Sequence, residues 1–153
     1  MKSIKTWAGA LGMTVGLAFA SVAQAHDDAY LDTLTAPHGG QLRMAGANHY
    51  ELVLVKDSPA AKDNVVTVYV TDHAGTKIPV AGASGSVTLL GGKTKANVTL
   101  QPDGDNKLSG HGVYASTPDL KAVVKIKLAG QDEQQARFTP LAPRAADQAG
   151  HAH

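Results

Sequence analysis

The sequence predicts an all-β domain, an immunoglobulin-like β-sandwich of seven or eight short strands. Apolar and β-branched residues form short runs, and clusters of turn-forming residues separate one run from the next. The run at 65–71 is β-branched and aromatic, which is the clearest strand signal in the chain. At 121–128 lysines alternate with apolar residues, as in a strand with one face toward water. After residue 25 no segment shows a sustained helical period.

The first half of the domain alternates strand signals with turns rich in glycine, proline and aspartate. The segment 36–40, Ala-Pro-His-Gly-Gly, is a turn because proline fixes one backbone angle and glycine frees the next. Strands are expected at 41–44 and 49–55, with a turn at 46–47 between them. Asp72-His73-Ala74-Gly75 ends the strand 65–71 as a tight turn. A short returning strand is expected at 77–80, at a sheet edge because Pro79 has no N–H.

The second half predicts a hairpin and three further strands. Segments 84–90 and 95–100 pair across a turn at Gly91-Gly92-Lys93. A turn at 102–106 leads into a strand at 107–114 that glycines interrupt. Two more strands, at 122–128 and 135–139, close the domain.

Both ends of the chain are predicted to lie outside this domain. Two lysines, an uncharged apolar stretch from 7 to 22 and small residues at Ala23 and Ala25 form the three-part pattern of a secretory signal. We therefore expect cleavage after Ala25 and a periplasmic protein, because the apolar stretch is short for a lasting membrane span. The remainder divides into a polar leader at 26–35, the sandwich at 36–140 and a disordered, histidine-containing tail at 141–153.

Charge and composition exclude several classes of function. The chain has 14 basic and 13 acidic residues, and the signal removes two lysines, which leaves a formal charge of −1. This balance provides no basic field for nucleic acid. The absence of cysteine excludes thiolate metal ligands and a catalytic thiol. No nucleophile elbow or phosphate-binding loop is present, so no enzyme is predicted.

Histidine is then the main donor for any transition metal, and all seven histidines lie after residue 25. His49 and Glu51 are two apart on a predicted strand, which places both side chains on one face about 6.5–7 Å apart. His38 reaches them from the preceding glycine-rich turn, and Met44 offers a thioether for Cu(I). The alternative is a half-exposed strand that carries His49 and Glu51 as solvated residues.

The other histidines have more than one interpretation. His73 follows Asp72 in a turn and is expected to face solvent. His111 lies between two glycines and is expected to be exposed at an edge, or to act as a ligand if its strand neighbours that of His49. His26 becomes the first residue after cleavage, where its amine and imidazole can chelate Cu(II). His151 and His153 form a second potential chelate in the tail, or a solvated end.

Four segments carry a resemblance to a group of small periplasmic proteins: Pro37-His38-Gly39-Gly40, then 48–53, then 68–75 and 81–85. Similar segments precede some periplasmic adaptor subunits of heavy-metal efflux pumps, and the predicted sandwich resembles YtkA-like and FixH-like domains. The resemblance spans roughly residues 36–140. It implies a role in heavy-metal resistance, near copper, zinc, cobalt or nickel handling, and it does not imply an enzyme.

Three hypotheses follow. The first is a periplasmic buffer or carrier of Cu, Zn, Co or Ni that binds through His38, His49 and Glu51, without turnover. The second is an interaction module that docks a metal-efflux adaptor or membrane complex through a sheet edge, with metal incidental. The third is a copper redox enzyme built on His26. None involves nucleic acid or a membrane-embedded mature chain.

Overall fold

The computed structural model describes residues 28–144, which form eight antiparallel β-strands and one turn of helix. The helix α1 covers Asp28–Leu31. The strands are β1 Gln41–Ala45, β2 Asn48–Leu54, β3 Lys62–Asp72, β4 Ser84–Gly91, β5 Thr94–Pro102, β6 Lys107–Tyr114, β7 Lys121–Lys127 and β8 Gln134–Phe138. The predicted signal peptide, residues 26–27 of the leader and most of the tail lie outside the described residues.

The strands follow the order β1-β2-β3-β6-β5-β4-β7-β8. The first layer is β1-β2-β3-β6 and the second is β5-β4-β7-β8, and β5 also joins β6 through two residue pairs at 101–102. Counted from β2, the third, sixth and seventh strands, β4, β7 and β8, lie together as in an immunoglobulin fold, and β5 joins them by pairing with β4. The all-β sandwich predicted from the sequence is therefore confirmed.

Side chains that alternate along each strand build the core between the two layers. In β3 the fully buried residues Val66, Val68 and Val70 face inward, while the residues between them are more exposed. In β7 the inward positions 122, 124 and 126 are buried and the three lysines are exposed, as the alternation predicts. Apolar burial from both layers supplies the main stabilisation of a domain that has no disulfide.

Three segments differ from the sequence prediction. The third strand begins at Lys62 rather than Val65, because Lys62, Asp63 and Asn64 pair with the end of β6. Segment 77–80 is not a strand: it forms a single bridge from Lys77 to Thr71, since Pro79 cannot donate to a ladder. The predicted polar leader contributes α1, whose Leu31 is buried. No helix within 28–144 combines the length and apolar character needed to cross a membrane.

Two glycines in β6 allow the second layer to approach closely. A Cβ on Gly110 would lie 2.2 Å from the carbonyl oxygen of Thr99, and one on Gly112 would lie 2.5 Å from a methyl group of Val98. The absence of a Cβ at these two positions therefore allows the close approach. It brings β5 against β6 where the chain passes between the layers.

Tyr50 offers a test of the core. Its side chain is fully buried, and its hydroxyl makes no hydrogen bond to any residue within 28–144. We expect Tyr50→Phe to leave the free energy of unfolding unchanged or to raise it by up to about 1 kcal/mol, because a buried hydroxyl without a partner is removed. Urea denaturation at pH 7 measures this, and a loss above about 1 kcal/mol would contradict it.

Tyr50→Phe is also expected to change how the stability of the protein depends on pH. Burial raises the pKa of Tyr50 to about 12, and the nearby Glu133 adds to the effect. The unfolded chain therefore loses this proton near pH 10 while the folded chain retains it, so stability is full below pH 10 and falls toward pH 12. We expect this alkaline loss to be smaller in Tyr50→Phe than in the unmodified protein.

Candidate functional site

Strand β2 is buried on both of its faces, unlike the other strands. Tyr50 and Leu52 point into the core, and the alternate residues His49 and Glu51 point outward yet are also buried. The outer face of β2 is covered by the segment before β1 and by the turn after β3. Together they enclose a cavity of about 260 Å³. The described lining consists of Leu34, Pro37, His38, Leu42, His49, Glu51, Tyr69, Thr71, His73, Ala74 and Gly75.

The Glu51 carboxylate anchors the loop that covers this cavity. Its Oε1 accepts the backbone N–H groups of His38 at 2.8 Å and of Gly40 at 3.1 Å. Its Oε2 lies 2.8 Å from Nδ1 of His38. Glu51 is only 3% exposed, so its charge depends on these donors rather than on water. The carboxylate therefore holds the loop, instead of pointing freely at the cavity.

His38 is fixed in position and in tautomer. Its ring stacks on Tyr69, with centroids 3.6 Å apart and an interplanar angle of 3°. An ionised carboxylate only accepts hydrogen bonds, so the contact with Glu51 assigns a proton to Nδ1 of His38. In the neutral ring Nε2 then carries the lone pair. A carboxylate that holds one nitrogen of an imidazole while the other binds an ion is the usual arrangement around metal-ligating histidines.

A second pair of imidazoles lines the same cavity. His49 lies opposite Thr71 in the β2–β3 register, and His73 is two residues beyond Thr71. The rings of His49 and His73 lie 4.8 Å apart between centroids, tilted by 32°. One ring is buried and the other is exposed, so the pair connects the cavity to the surface. An imidazole from β2 and one from the turn after β3 thus lie side by side at the cavity.

The turn that carries His73 is held by Asp72. Oδ1 of Asp72 accepts the N–H groups of Ala74 and Thr76, both at 2.8 Å, and Gly75 takes the left-handed conformation with φ of 83°. The hydrogen bond from Thr76 and that from Ala74 keep the pKa of the Asp72 carboxyl below its usual value, and His73 contributes to the effect. Asp72 therefore caps the turn, as the sequence predicts.

A matched pair of substitutions tests this positioning role. Asp72→Ala removes the acceptor, so we expect the turn to loosen and any affinity of the cavity for Zn(II) to fall by about tenfold. Asp72→Asn retains an oxygen at the same place and is expected to retain most of the affinity. Titration calorimetry with Zn(II) compares the two. Equal affinities in the two variants would show that the cap does not position His73.

The turn also predicts a pH effect. Because the pKa of Asp72 is lowered in the folded protein, its contribution to stability is present above the ordinary carboxyl range. It is lost as the pH falls below about 4. Thermal unfolding of the unmodified protein should therefore show a larger decrease across this range than that of Asp72→Asn.

The histidines and carboxylate predicted to act together are brought together in part. His38, His49 and Glu51 all line one cavity, although Glu51 contacts the loop and His38 rather than occupying a ligand position. Met44 lies opposite His49 in the β1–β2 register, and therefore on the same face of the sheet. His26, His151 and His153 lie outside the described residues.

His111 does not line the cavity. His111 was expected to act as a ligand only if its strand neighbours that of His49. Strand β3 lies between β6, which carries His111, and β2, which carries His49, so the two strands are not neighbours. Its ring is exposed and lies 3.2 Å from a carboxylate oxygen of Asp63. The structure thus places His111 in a surface contact with Asp63, away from the cavity.

The sequence reasoning missed two residues of the site. His73 is exposed, as predicted, but its ring also lies against His49 across the β2–β3 pair. Tyr69 supports the ring of His38 and had no predicted role. The available signal was the spacing in the chain: Tyr69 and His73 are four apart and Thr71 lies midway, so all three share the outer face if the strand continues into the turn.

The donor set is rich in nitrogen but is not a closed cage. Within 28–144 no three His, Asp or Glu side chains are arranged as a group that could hold a metal ion. The cavity is lined by two pairs of side chains. His49 on β2 contacts His73, and Glu51, two residues further along β2, contacts His38. A ligand set of this kind leaves positions open for water or for donors from another molecule.

No protein-family model matches the chain, and no curated protein matches it. Among solved structures the chain is similar to a DUF4426 family protein from Pseudomonas aeruginosa PAO1, with 17% sequence identity and a TM-score of 0.43. The match covers 67% of this chain and 97% of that chain. A likeness at this level does not bear on function.

Proposed function

We propose that the protein binds a transition metal ion reversibly at the cavity lined by His38, His49 and His73, and that it acts as a periplasmic buffer or carrier. The observation that carries this proposal is a pair of imidazoles from two parts of the chain, with a third imidazole on the wall of the same cavity. The ring of His49 lies 4.8 Å from that of His73, and His38 lines the same cavity. Imidazole nitrogen suits Cu, Zn, Co and Ni, and the cysteine-free chain offers no thiolate to compete.

Glu51 supports the proposal as a positioning residue. By accepting a hydrogen bond from Nδ1 of His38, the carboxylate leaves Nε2 as the donor atom and fixes the orientation of the ring. Tyr69 prevents the ring from tipping away, because the two rings are stacked. A preset imidazole loses less conformational entropy when it binds an ion than a mobile one does.

The open arrangement favours transfer over storage or catalysis. A site with two or three protein nitrogens leaves coordination positions for a partner's donor, so that the ion passes from one protein to the other by ligand exchange. His73 and His38 are exposed, which places the exchanging ligands at the surface. In a heavy-metal resistance context, the receiving partner would be an efflux adaptor.

The test is titration of the processed full-length protein with Cu(II) and Zn(II). Substitution of His26, His151 and His153 by alanine removes the potential chelates at the two ends, so that binding reports on the cavity. We expect one ion per chain, held more tightly than by a single imidazole, and a Cu(II) electron paramagnetic resonance spectrum with coupling to at least two nitrogens. Affinity no greater than that of free imidazole would refute the proposal.

The second hypothesis, docking through a sheet edge, has less support. The edge strands β1 and β8 lie close together, and the Gln41 side chain bridges them by accepting the N–H of Thr139 at 2.9 Å. An edge held in this way offers little room for an added strand. The copper redox hypothesis depends on His26, which lies outside the described residues.

A further inference from the structure

The two layers of the sandwich differ in charge. The four strands of the second layer contain five cationic residues and no aspartate or glutamate, namely Lys95, Lys121, Lys125, Lys127 and Arg137. The strands of the first layer are balanced, with three cationic residues, Arg43, Lys62 and Lys107, and three acidic ones, Glu51, Asp63 and Asp72. The positive charge is therefore concentrated on one sheet.

All five cations lie on the outer face of that sheet. Lys121, Lys125 and Lys127 alternate with the buried positions of β7 and so share one face. The register places Lys121 opposite Leu90, and Leu90 in turn opposite Lys95. Arg137 lies opposite Val123, which belongs to the same face of β7. Since directly opposed residues share a face, the five form one basic surface.

Carboxylates of the described chain leave this surface largely uncompensated. The carboxylates that contact a Lys, Arg or His side chain within 28–144 are those of Glu51, Asp28, Asp32, Asp63 and Asp103, and none of these contacts involves a cation of the basic surface. Asp119 lies near Lys121 at the start of β7, and its own pKa is lowered first by a hydrogen bond from Thr117 and last by Lys121. The other four cations have no such neighbour among the described ion pairs.

The shape of the surface matches an extended anionic partner. The lysines of β7 span seven residues, or about 20 Å of strand, across a sheet face rather than around a pocket. One shallow depression interrupts it, with a volume of about 280 Å³. Leu90, Val123 and Phe138 contribute apolar atoms to this depression. Lys121 and Arg137 also line it, so it combines apolar contact with positive charge.

We infer that the basic surface docks the protein onto an anionic lipid bilayer. Lysines spread over a flat face attract the headgroups without requiring a specific geometry, and Leu90, 41% exposed, reaches toward the interface. The histidine cavity lies on the outer face of the other layer and so remains open to solvent when this surface is bound. The inference does not depend on metal binding, and it adds a location to the proposed carrier role.

Vesicle sedimentation of the processed full-length protein tests the inference. We expect sedimentation with phosphatidylcholine vesicles that contain phosphatidylglycerol, none with pure phosphatidylcholine, and release at high ionic strength. Lys125→Glu combined with Lys127→Glu is expected to lower the partition coefficient at least tenfold, because each cation near the surface contributes about a fivefold factor. The matched control is Lys62→Glu with Lys77→Glu, which changes the net charge equally outside the basic surface and should reduce binding much less.

Several outcomes would overturn the inference. One is the absence of sedimentation with anionic vesicles at low salt, and another is an equal loss in the two double variants, which would show a net-charge effect only. Binding to an acidic polypeptide such as polyglutamate but not to the vesicles would assign the surface to a protein partner. If the glutamate pair does not fold by circular dichroism, Lys125→Gln with Lys127→Gln replaces it. Zn(II) affinity is measured on the same variants and should not change, which keeps this test separate from that of the cavity.

Discussion

Replacing both His49 and His73 with alanine is expected to lower the affinity of the cavity for Cu(II) and Zn(II) by at least about 100-fold. The two rings lie 4.8 Å apart between centroids, and the chain contains no cysteine that could replace them as ligands. Loss of an outer partner of a metal ligand alone costs about 10- to 100-fold in affinity, so loss of two direct ligands costs at least as much. Calorimetry in the background that lacks His26, His151 and His153 measures the change.

The control for this experiment is His111→Ala, which removes an exposed imidazole from the far side of β3. We expect it to leave the affinity unchanged. The two single variants, His49→Ala and His73→Ala, should each cause most of the loss, because ligands of one ion act together and their effects do not add. An affinity in the double variant within a fewfold of the unmodified protein would remove His49 and His73 from the site.

Glu51→Ala is expected to lower the free energy of unfolding by about 2–4 kcal/mol. The carboxylate is buried and accepts two backbone N–H groups and Nδ1 of His38, so its removal leaves three donors without their acceptor. His38 is 42% exposed at its side chain and can turn to water, whereas the N–H of Gly40 is buried. Urea denaturation at pH 7 gives the change directly.

The matched control is Asp63→Ala, which breaks the other histidine–carboxylate pair of the described chain at a site where both partners are about two-thirds exposed. Its effect should stay within about 0.5 kcal/mol, because water replaces the lost contact. A similar loss in the two variants would contradict the anchoring role of Glu51. Glu51→Gln retains one acceptor oxygen and is expected to fall between the unmodified protein and Glu51→Ala.

The Glu51 variants also separate positioning from direct ligation. If Glu51 acts through His38, Glu51→Gln should weaken metal binding by about 10-fold while the number of nitrogens coupled to Cu(II) remains the same. A carboxylate that binds the ion directly would give a larger loss and an altered set of oxygen ligands in the spectrum.

Most of the fold follows from local patterns in the sequence. Alternation at β7 identified its inward face, and β-branched and aromatic residues identified β3 as a strand. Glycine or aspartate marked the turns at 46–47, 72–75, 91–93 and 102–106. The prediction was wrong where local and tertiary signals conflicted. Segment 77–80 has strand-forming residues, but in the folded protein only Lys77 forms a β-bridge. The N–H of Ile78 makes a single hydrogen bond to the carbonyl oxygen of Val70 in β3 and does not extend into a ladder.

The candidate site was only partly predictable, because its residues are far apart in the chain. The spacing of His49 and Glu51 on one strand correctly placed them on one face. The glycine-rich turn indicated that His38 could reach Glu51, but it did not indicate the role of Glu51. Whether a carboxylate faces an ion or caps a loop depends on which N–H groups reach it. His73 was set aside because the register between β2 and β3 cannot be read from residue types.

The sequence by itself determined the all-β class, the absence of thiol chemistry and the supply of imidazole donors, because composition and two-residue periodicity are local properties of the chain. Only the tertiary structure decided which histidines meet. The β2–β3 register brings His73 against His49, the loop before β1 brings His38 to Glu51, and the strand order separates His111 from both pairs. The physical reason is that a metal site depends on distances across strands, and those are set by the register and layer packing of the whole domain.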